Sequence, residues 1–169
     1  MKSLFLIFII LAIVADAIGQ DQNPLALTED ARYFDFWEGK WIGLHDNNTL
    51  DSTVSFEVVR SVNPASFEEK WQLGNSRSAA IRAWDKSNSK WGFVWISDNG
   101  LFQIWDTRKV DGHWYIYKQF NVNGDVYLSR QGFLLQPDGT VVRVSEKSYD
   151  EKKWEVRFSQ RLKKVALPK

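Results

Sequence analysis

The sequence predicts an all-β fold, an up-and-down antiparallel meander of about ten strands that closes into a barrel behind one short N-terminal helix. Three observations predict it. Successive stretches alternate aromatic or β-branched residues with other residues at period two, as strands do. Asn-Gly and Asp-Gly pairs, which supply the positive φ of tight hairpins, separate several of these stretches. Past residue 39 no helical periodicity indicates a crossover helix.

Residues 1–17 resemble a secretory signal peptide. Lys2 gives the positive start, residues 4–14 form the apolar run, and Ala15-Asp16-Ala17 is an A-x-A cleavage site. A membrane span needs roughly 20 apolar residues, so a cleaved signal is favoured over a membrane anchor. We therefore expect a protein exported to the periplasm or the medium, with no integral membrane segment in the mature chain.

Residues 18–27 predict a flexible lead-in, and residues 28–165 predict a single barrel domain. Thr28 is the expected cap of a short helix over residues 31–37 that ends at Gly39. The predicted strands follow at 40–46, 50–60, 67–74, 77–85, 90–97, 101–109, 113–121, 125–135, 140–149 and 154–163. Closing such a meander into a barrel removes its exposed edges; a flat two-sheet sandwich is the alternative.

The net charge of +1 and the absence of cysteine narrow the function classes. A nucleic-acid-binding protein would need a clearly basic face. Without cysteine, disulfides and Cys-based metal sites are excluded. His45 and His113 flank predicted turns and are interpreted as surface residues at strand ends rather than metal or haem ligands. We therefore predict no cofactor, no metal and no nucleic-acid partner, and the sequence carries no signal for an oligomeric state.

The turns predict which side chains share a face of the sheet, because residues opposite each other in a hairpin lie on one face. With Asn99-Gly100 as a two-residue loop, Trp95 lies opposite Ile104. Extending this register assigns one face to Glu69, Trp71, Arg82, Trp84, Trp91, Phe93, Trp95, Asp106, Arg108, Tyr115, Tyr117, Arg130, Glu146 and Arg157. The other face carries Val94, Ile96, Trp105, Trp114, Ile116, Phe120, Tyr127, Phe133, Val156 and Phe158, interspersed with Gln103, Lys118, Ser129, Arg143 and Lys147.

We take the first face as the interior, because its charges fall beside charges of opposite sign. Glu69 neighbours Arg82, and Glu146 neighbours both Arg130 and Arg157. Charges buried in a barrel must be paired. The alternative is that these are exposed cross-strand pairs, and one bulge would reverse part of the assignment.

The segment Phe34-Asp35-Phe36-Trp37-Glu38-Gly39-Lys40-Trp41 resembles the F-D-F-W-x-G-x-W opening of a family of uncharacterised secreted bacterial proteins with a lipocalin-like, calycin-type barrel. Further resemblances lie in Glu69-Lys70-Trp71 (E-x-W), Trp84-Asp85 (Y-D), Trp91 to Trp95 (W-x-Q-x-W), Arg130 with Phe133, and a closing D-G…E-x-S-x-D…W from Asp138 to Trp154. The resemblance covers about residues 32 to 160. It implies the fold more than an activity, since similar barrels serve many functions. Phe93 and Ser97 replace the family's Gln and Asp, which implies a more apolar pocket there.

Tryptophans beside charged groups are typical of a pocket for an amphipathic, ring-bearing or sugar-like ligand. The predicted ligand-binding residues are Glu69, Trp71, Arg82, Trp84, Trp91, Trp95, Tyr115, Tyr117, Arg130, Glu146 and Arg157. We therefore expect an exported barrel that binds a small molecule, and this hypothesis depends on Glu146 pointing inward.

The alternative is a cofactor-free barrel enzyme, a lyase, isomerase or hydrolase, that uses a buried carboxylate. Its candidate catalytic residues are Glu69, Glu146 and Tyr117. Arginine neighbours would hold such a carboxylate in its charged form, which favours binding over proton transfer. A structural or partner-binding domain with a solidly packed interior is the third reading.

Overall fold

Ten antiparallel strands follow one another around a closed barrel in this computed structural model, which describes residues 27–165. The predicted signal peptide, and all of the predicted lead-in except Leu27, lie outside the described residues. The strands are β1 (Gly39–Leu44), β2 (Leu50–Arg60), β3 (Ser66–Leu73), β4 (Ser76–Asp85), β5 (Lys90–Ser97), β6 (Phe102–Val110), β7 (His113–Val122), β8 (Asp125–Leu135), β9 (Val141–Ser148) and β10 (Glu155–Val165). All ten agree with the predicted ranges to within two residues at each end.

The first and last strands close the sheet. Each strand pairs with its neighbours in the sequence, and β1 also pairs with β10, from Lys40 opposite Val165 to Leu44 opposite Arg161. This pairing satisfies backbone groups that β1 and β10 would otherwise present as edge strands. The predicted barrel is therefore confirmed, and the two-sheet sandwich is excluded.

The short predicted helix is present as two 3-10 turns, Asp30–Arg32 and Asp35–Trp37. Thr28 acts as its cap, because its hydroxyl oxygen accepts a hydrogen bond from the Ala31 N–H at 3.2 Å. The brief turns follow from a sequence in which aromatic residues, rather than good helix formers, occupy most positions after residue 32.

These turns lie across one end of the barrel. The indole N–H of Trp91, at the start of β5, donates to the Asp30 carbonyl at 2.9 Å. The ammonium of Lys164, near the end of β10, donates to the Phe36 carbonyl at 2.8 Å. We call this the covered end, and the opposite end, where the β5–β6 and β9–β10 loops lie, the open end.

Aromatic rings fill the half of the barrel next to the covered end. Trp37 is fully buried, and its ring centroid lies 5.1 Å from that of Trp41, 5.0 Å from Phe56 and 4.9 Å from Phe133. Trp41 also donates its indole N–H to the Trp37 carbonyl at 2.8 Å. This plug from the N-terminal segment leaves the larger interior space on the open-end side.

Five of the predicted cross-strand pairings are confirmed. The confirmed pairs are Trp84 with Trp91, Asp106 with Tyr117, Arg108 with Tyr115, Tyr117 with Arg130, and Arg130 with Glu146. Two-residue turns at Asp111-Gly112 and Asn123-Gly124 set the pairing of β6 with β7 and of β7 with β8. Both residues of each turn have positive φ.

The predicted pairing between β5 and β6 is wrong. Trp95 lies opposite Gln103 and not opposite Ile104, which is 64% exposed on the outer wall. Because side chains alternate with period two, a one-residue difference moves the following side chains to the other face. The second half of the barrel therefore has its predicted faces exchanged.

The cause is a loop that is one residue longer than predicted. Residues 98–100 form it, and the Ser97 N–H donates to the Leu101 carbonyl across its base at 3.0 Å. Gly100 adopts φ of 86°, the left-handed conformation that the last residue of a three-residue hairpin loop requires. The Asn99-Gly100 pair is compatible with both the predicted two-residue loop and the observed three-residue loop.

Two smaller differences affect the predicted ion pairs. The β3–β4 register differs by two residues, so Glu69 and Arg82 are diagonal neighbours that stay on one face. In β10 a bulge after Val156 takes Arg157 out of its predicted pairing with Glu146. Such an extra residue bends the strand and redirects its side chain.

Candidate functional site

A cavity of about 300 Å³ occupies the open-end half of the barrel interior. Inward-facing residues of β3 to β10 line it: Glu69, Trp71, Leu73, Ser78, Phe93, Trp95, Leu101, Gln103, Trp105, Ile116, Phe120, Gln131, Phe133, Arg143, Arg157 and Phe158. A barrel of this many strands is wider than the eight-stranded kind that side chains can fill, which accounts for the space.

A larger depression of about 780 Å³ lies over β1 to β5. Outer-wall side chains such as Lys40, Glu57 and Lys70 border it, and it is open to solvent. Small-molecule sites enclose most of their ligand's surface, so the interior cavity is the stronger candidate.

Aromatic side chains make up half of the lining residues on β3 to β7. Phe93 lies opposite Trp105 on the neighbouring strand, with their ring centroids 6.4 Å apart in an edge-on arrangement. Trp105 also meets Phe120 at 5.6 Å, and its indole N–H donates to Gln103 Oε1 at 3.1 Å. These rings present flat apolar surfaces whose orientation is fixed by their neighbours.

The carboxylate of Glu69 forms the floor of the cavity, and both of its oxygens accept hydrogen bonds. Glu69 Oε1 accepts hydrogen bonds from Arg82 Nε at 2.9 Å and from Trp37 Nε1 at 3.1 Å. Its Oε2 accepts one from Trp71 Nε1 at 2.9 Å. Three donors hold the buried carboxylate in a fixed position. Glu69 therefore acts as a structural anchor beneath the cavity.

Arg143 on β9 reaches across the interior toward β3. Its Nε and Nη2 donate to Gln131 Oε1 at 3.3 and 3.1 Å. Its guanidinium carbon lies 5.1 Å from the Trp71 ring centroid and 4.9 Å from that of Phe158. Burial lowers the pKa of Arg143 to about 10, an effect that the charge of Glu69 partly offsets. The group is therefore still positively charged at neutral pH.

The charges around the cavity do not balance. The lining includes one carboxylate, Glu69, and two guanidinium groups, Arg143 and Arg157. The Glu69 charge is matched by Arg82 just beneath, with which it forms an ion pair. None of the ion pairs among residues 27–165 includes Arg143 or Arg157. The cavity therefore has a positive electrostatic character.

The structure brings part of the predicted site together. Glu69, Trp71, Trp95 and Arg157 all line the cavity, and Arg82 supports it through Glu69. Two of the predicted tryptophans lie at the covered end instead. Trp91 is fully buried against Phe34, and Trp84 packs edge-on against Trp114.

Four predicted site residues lie on the outer wall: Tyr115, Tyr117, Arg130 and Glu146. Arg130 Nε donates to Glu146 Oε2 at 2.6 Å, and the Arg130 guanidinium covers the rings of Trp154 and Tyr115. The predicted inward orientation of these four side chains, and of Asp106 and Arg108, is therefore wrong. As a consequence, Glu146 and Tyr117 cannot act in the cavity.

Sequence reasoning missed the cavity residues that replace them. The two-residue loop assigned Gln103, Trp105, Ile116, Phe120, Phe133, Arg143 and Phe158 to the outer wall, and Gln131 was assigned to neither face. Along β6 to β8 the two faces carry equal numbers of apolar side chains, so hydrophobic patterning did not indicate the correct assignment. Both faces also mix charged with aromatic residues.

Both histidines are exposed at strand ends, as predicted, and His113 Nδ1 lies 3.0 Å from the Tyr33 hydroxyl. Within residues 27–165, no group of three or more His, Asp or Glu side chains is placed to hold a metal ion. No helix in that part of the chain has the length and hydropathy of a membrane span. No protein-family model matches the sequence, and no curated protein matches it either.

Proposed function

We propose that this protein binds a small amphipathic, ring-bearing molecule inside the barrel. The single observation that carries the proposal is the cavity of about 300 Å³, walled by aromatic rings on one side and bearing polar groups on the other. Its volume is at the lower end of the range for small-molecule sites. It suits one or two fused rings, or a single sugar ring, rather than a long chain.

The aromatic wall supports this choice of ligand. Trp95 and Trp105 come from adjacent strands, and Phe93 lies two residues before Trp95 on β5 and opposite Trp105 on β6. Flat rings in fixed positions favour a flat ligand, because stacked or edge-on contacts bury area without ordering flexible side chains.

Binding is better supported than catalysis. The enzyme alternative needs a carboxylate that can exchange a proton with a substrate. Glu69, the only carboxylate in the cavity lining, already accepts three hydrogen bonds from Arg82, Trp37 and Trp71. A substrate that approached this carboxylate would first have to displace one of these donors.

We also propose that the protein acts outside the cytoplasm, in the periplasm or the medium. The signal-like leader over residues 1–17 supports this location. The opening octet at residues 34–41 supports membership in the secreted bacterial family that it resembles. A secreted binding protein would take up its ligand from dilute solution, which an open barrel end allows.

The test uses prodan, a neutral fluorophore built on the two fused rings of naphthalene, whose emission shifts to shorter wavelength in apolar surroundings. We expect saturable one-to-one binding to the purified protein. Trp105→Leu should weaken binding by at least about fivefold, because it removes a ring from the cavity wall. The matched control is Trp154→Leu, which removes a ring from the outer wall and should leave the affinity unchanged.

Thermal unfolding of both variants checks that each is folded. Absence of saturable binding in the wild-type protein contradicts the proposal and favours a structural domain. Equal effects of the two substitutions would place the fluorophore outside the cavity and contradict it as well.

A further inference from the structure

We infer that the ligand carries an anionic group, a carboxylate, sulfonate or phosphate, and that Arg143 binds it inside the barrel. This inference rests on the proposed function and specifies the chemical class of the ligand. It follows from the unmatched charge, from the geometry of the guanidinium and from the polar atoms around it.

The unmatched charge is the first argument. Arg143 is half-buried in the cavity wall, and a cation drawn partly out of water is costly unless an anion pairs with it. The carboxylate nearest in the lining, Glu69, has its oxygens taken up by Arg82 and two indole N–H groups. Among the described residues the Arg143 guanidinium makes hydrogen bonds only to a neutral amide oxygen, that of Gln131. A negatively charged ligand would supply the missing partner.

The geometry of Arg143 is the second argument. Gln131 holds the guanidinium at Nε and Nη2, and the rings of Trp71 and Phe158 fix its plane. Nη1 makes no hydrogen bond to residues 27–165, and the side chain forms part of the cavity wall. A guanidinium fixed in this way offers donors in the planar arrangement that matches the oxygens of a carboxylate or phosphate.

Unpartnered polar atoms beside Arg143 are the third argument. Ser145 lies opposite Gln131, and Gln160 lies opposite Arg143, so all four belong to one interior stretch of β8 to β10. Ser145 Oγ and Gln160 Oε1 are buried and have no hydrogen-bond partner within residues 27–165. Buried polar groups in proteins are nearly always hydrogen-bonded. The Ser145 hydroxyl can donate to an anionic group beside the cation, whereas the unpartnered Gln160 atom is an amide oxygen that can only accept.

Arg157 at the open end adds a second positive charge on the way in. It is exposed, its Nη1 donates to Ser129 Oγ at 3.3 Å, and its guanidinium carbon lies 5.3 Å from the Tyr127 ring centroid. Positive charge at a cavity mouth attracts anions and accelerates their entry. The arrangement favours a ligand whose charged group enters first, leaving its ring between the aromatic side chains nearer the mouth.

The test compares probes that share one ring system and differ in charge: 2-naphthylacetate, the neutral 2-naphthylacetamide and the cationic 2-naphthylethylamine. Isothermal titration calorimetry on the full-length mature protein gives each affinity. We expect the anion to bind about 10- to 100-fold more tightly than the amide, as for a charge-assisted hydrogen-bonded pair. The amine should bind more weakly than either.

Substitutions then locate the anion. Arg143→Met should reduce the affinity for 2-naphthylacetate to about that for the amide, with a much smaller effect on the amide. Its melting temperature should stay close to that of the wild type, because removing a half-buried charge offsets the loss of the hydrogen bonds to Gln131. Arg143→Lys, which keeps the charge without the planar donors, should retain part of the preference. Arg130→Met, on the outer wall, is the matched control and should alter neither affinity.

The outcomes separate the two proposals. If the amide binds as tightly as the anion to the wild-type protein, the inference is overturned while the proposed function stands. If none of the three probes binds saturably, the proposed function fails. If the preference survives Arg143→Met and is lost in Arg157→Met, the anion binds at the mouth and the assignment to Arg143 is wrong.

Discussion

Arg82 and Glu69 form a buried ion pair in which Arg82 Nε donates to Glu69 Oε1 at 2.9 Å and both side chains are 1% exposed. The Arg82 guanidinium also lies against the rings of Phe34 and Phe133, at 4.1 and 4.7 Å from their centroids. The pair therefore links the covered end of the barrel to the floor of the cavity. Each charge stabilises the protein only while the other is present, because either one alone would be buried without a partner.

Arg82→Met should lower the free energy of unfolding by about 3–5 kcal/mol, because it leaves the Glu69 charge buried without its cation. The double variant Glu69→Leu with Arg82→Met should lose less than the sum of the two single losses. Urea unfolding followed by tryptophan fluorescence measures both. Lys90→Met, which breaks a half-exposed pair with Asp106, is the control and should cost less than about 1 kcal/mol. Additive losses would show that the two charges are not coupled.

The exchange of faces after the β5–β6 loop predicts a difference in thiol reactivity between neighbouring residues. The chain contains no cysteine, so single substitutions give unambiguous labelling. Arg108→Cys, on the outer wall, should react with a thiol reagent at a rate near that of a free peptide thiol. Thr107→Cys, at a position 6% exposed on the inner face, should react at least ~100-fold more slowly. The buried thiol becomes accessible to the reagent only when the barrel opens locally. Faster labelling at position 107 than at 108 would contradict the observed register and support the one predicted from a two-residue loop.

Gly132 makes room for the Tyr115 ring on the outer wall. A Cβ added at Gly132 would lie 2.7 Å from Tyr115 Cε1 and 3.1 Å from Cδ1. Gly132→Ala should therefore destabilise the protein by about 1–3 kcal/mol. Adding Tyr115→Ala should remove most of that penalty, as a double-mutant cycle in urea would measure. Gly92→Ala is the control, because its nearest neighbour is the Ala83 carbonyl at 3.6 Å; an equal loss there would refute the steric explanation.

Burial of Tyr33 at the covered end raises its pKa from 10.0 to about 12. Between pH 10 and pH 12 the unfolded chain has released this proton and the folded chain still holds it. The contribution of Tyr33 to stability is therefore complete below about pH 10 and is lost as the pH rises toward 12. Tyr33→Phe should make the decline in unfolding free energy over this range less steep. Because the substitution also removes the contact with His113, the slopes against pH are compared, and equal slopes would contradict the prediction.

The sequence alone determined the strands, most of the turns and the closure of the meander. Alternation at period two and the turn residues are local signals, and they located every strand to within two residues. They also identified Glu69 and Arg82 as partners on an interior face. Glu69, Trp71 and Trp95 of the predicted site line the cavity for the same reason, whereas Arg157 reaches it because the bulge in β10 redirects its side chain.

Only the tertiary structure decided which face of β6 to β10 is the interior. Side chains alternate from one face to the other at every residue. One extra residue in the loop at residues 98–100 therefore exchanges the inner and outer faces of the strands that follow. Asn99-Gly100 is compatible with two loop lengths, and both faces mix charged with aromatic residues, so burial did not favour either from the sequence. The placement of Arg143 opposite Trp71 across the barrel depends on closure, which joins residues far apart in the chain.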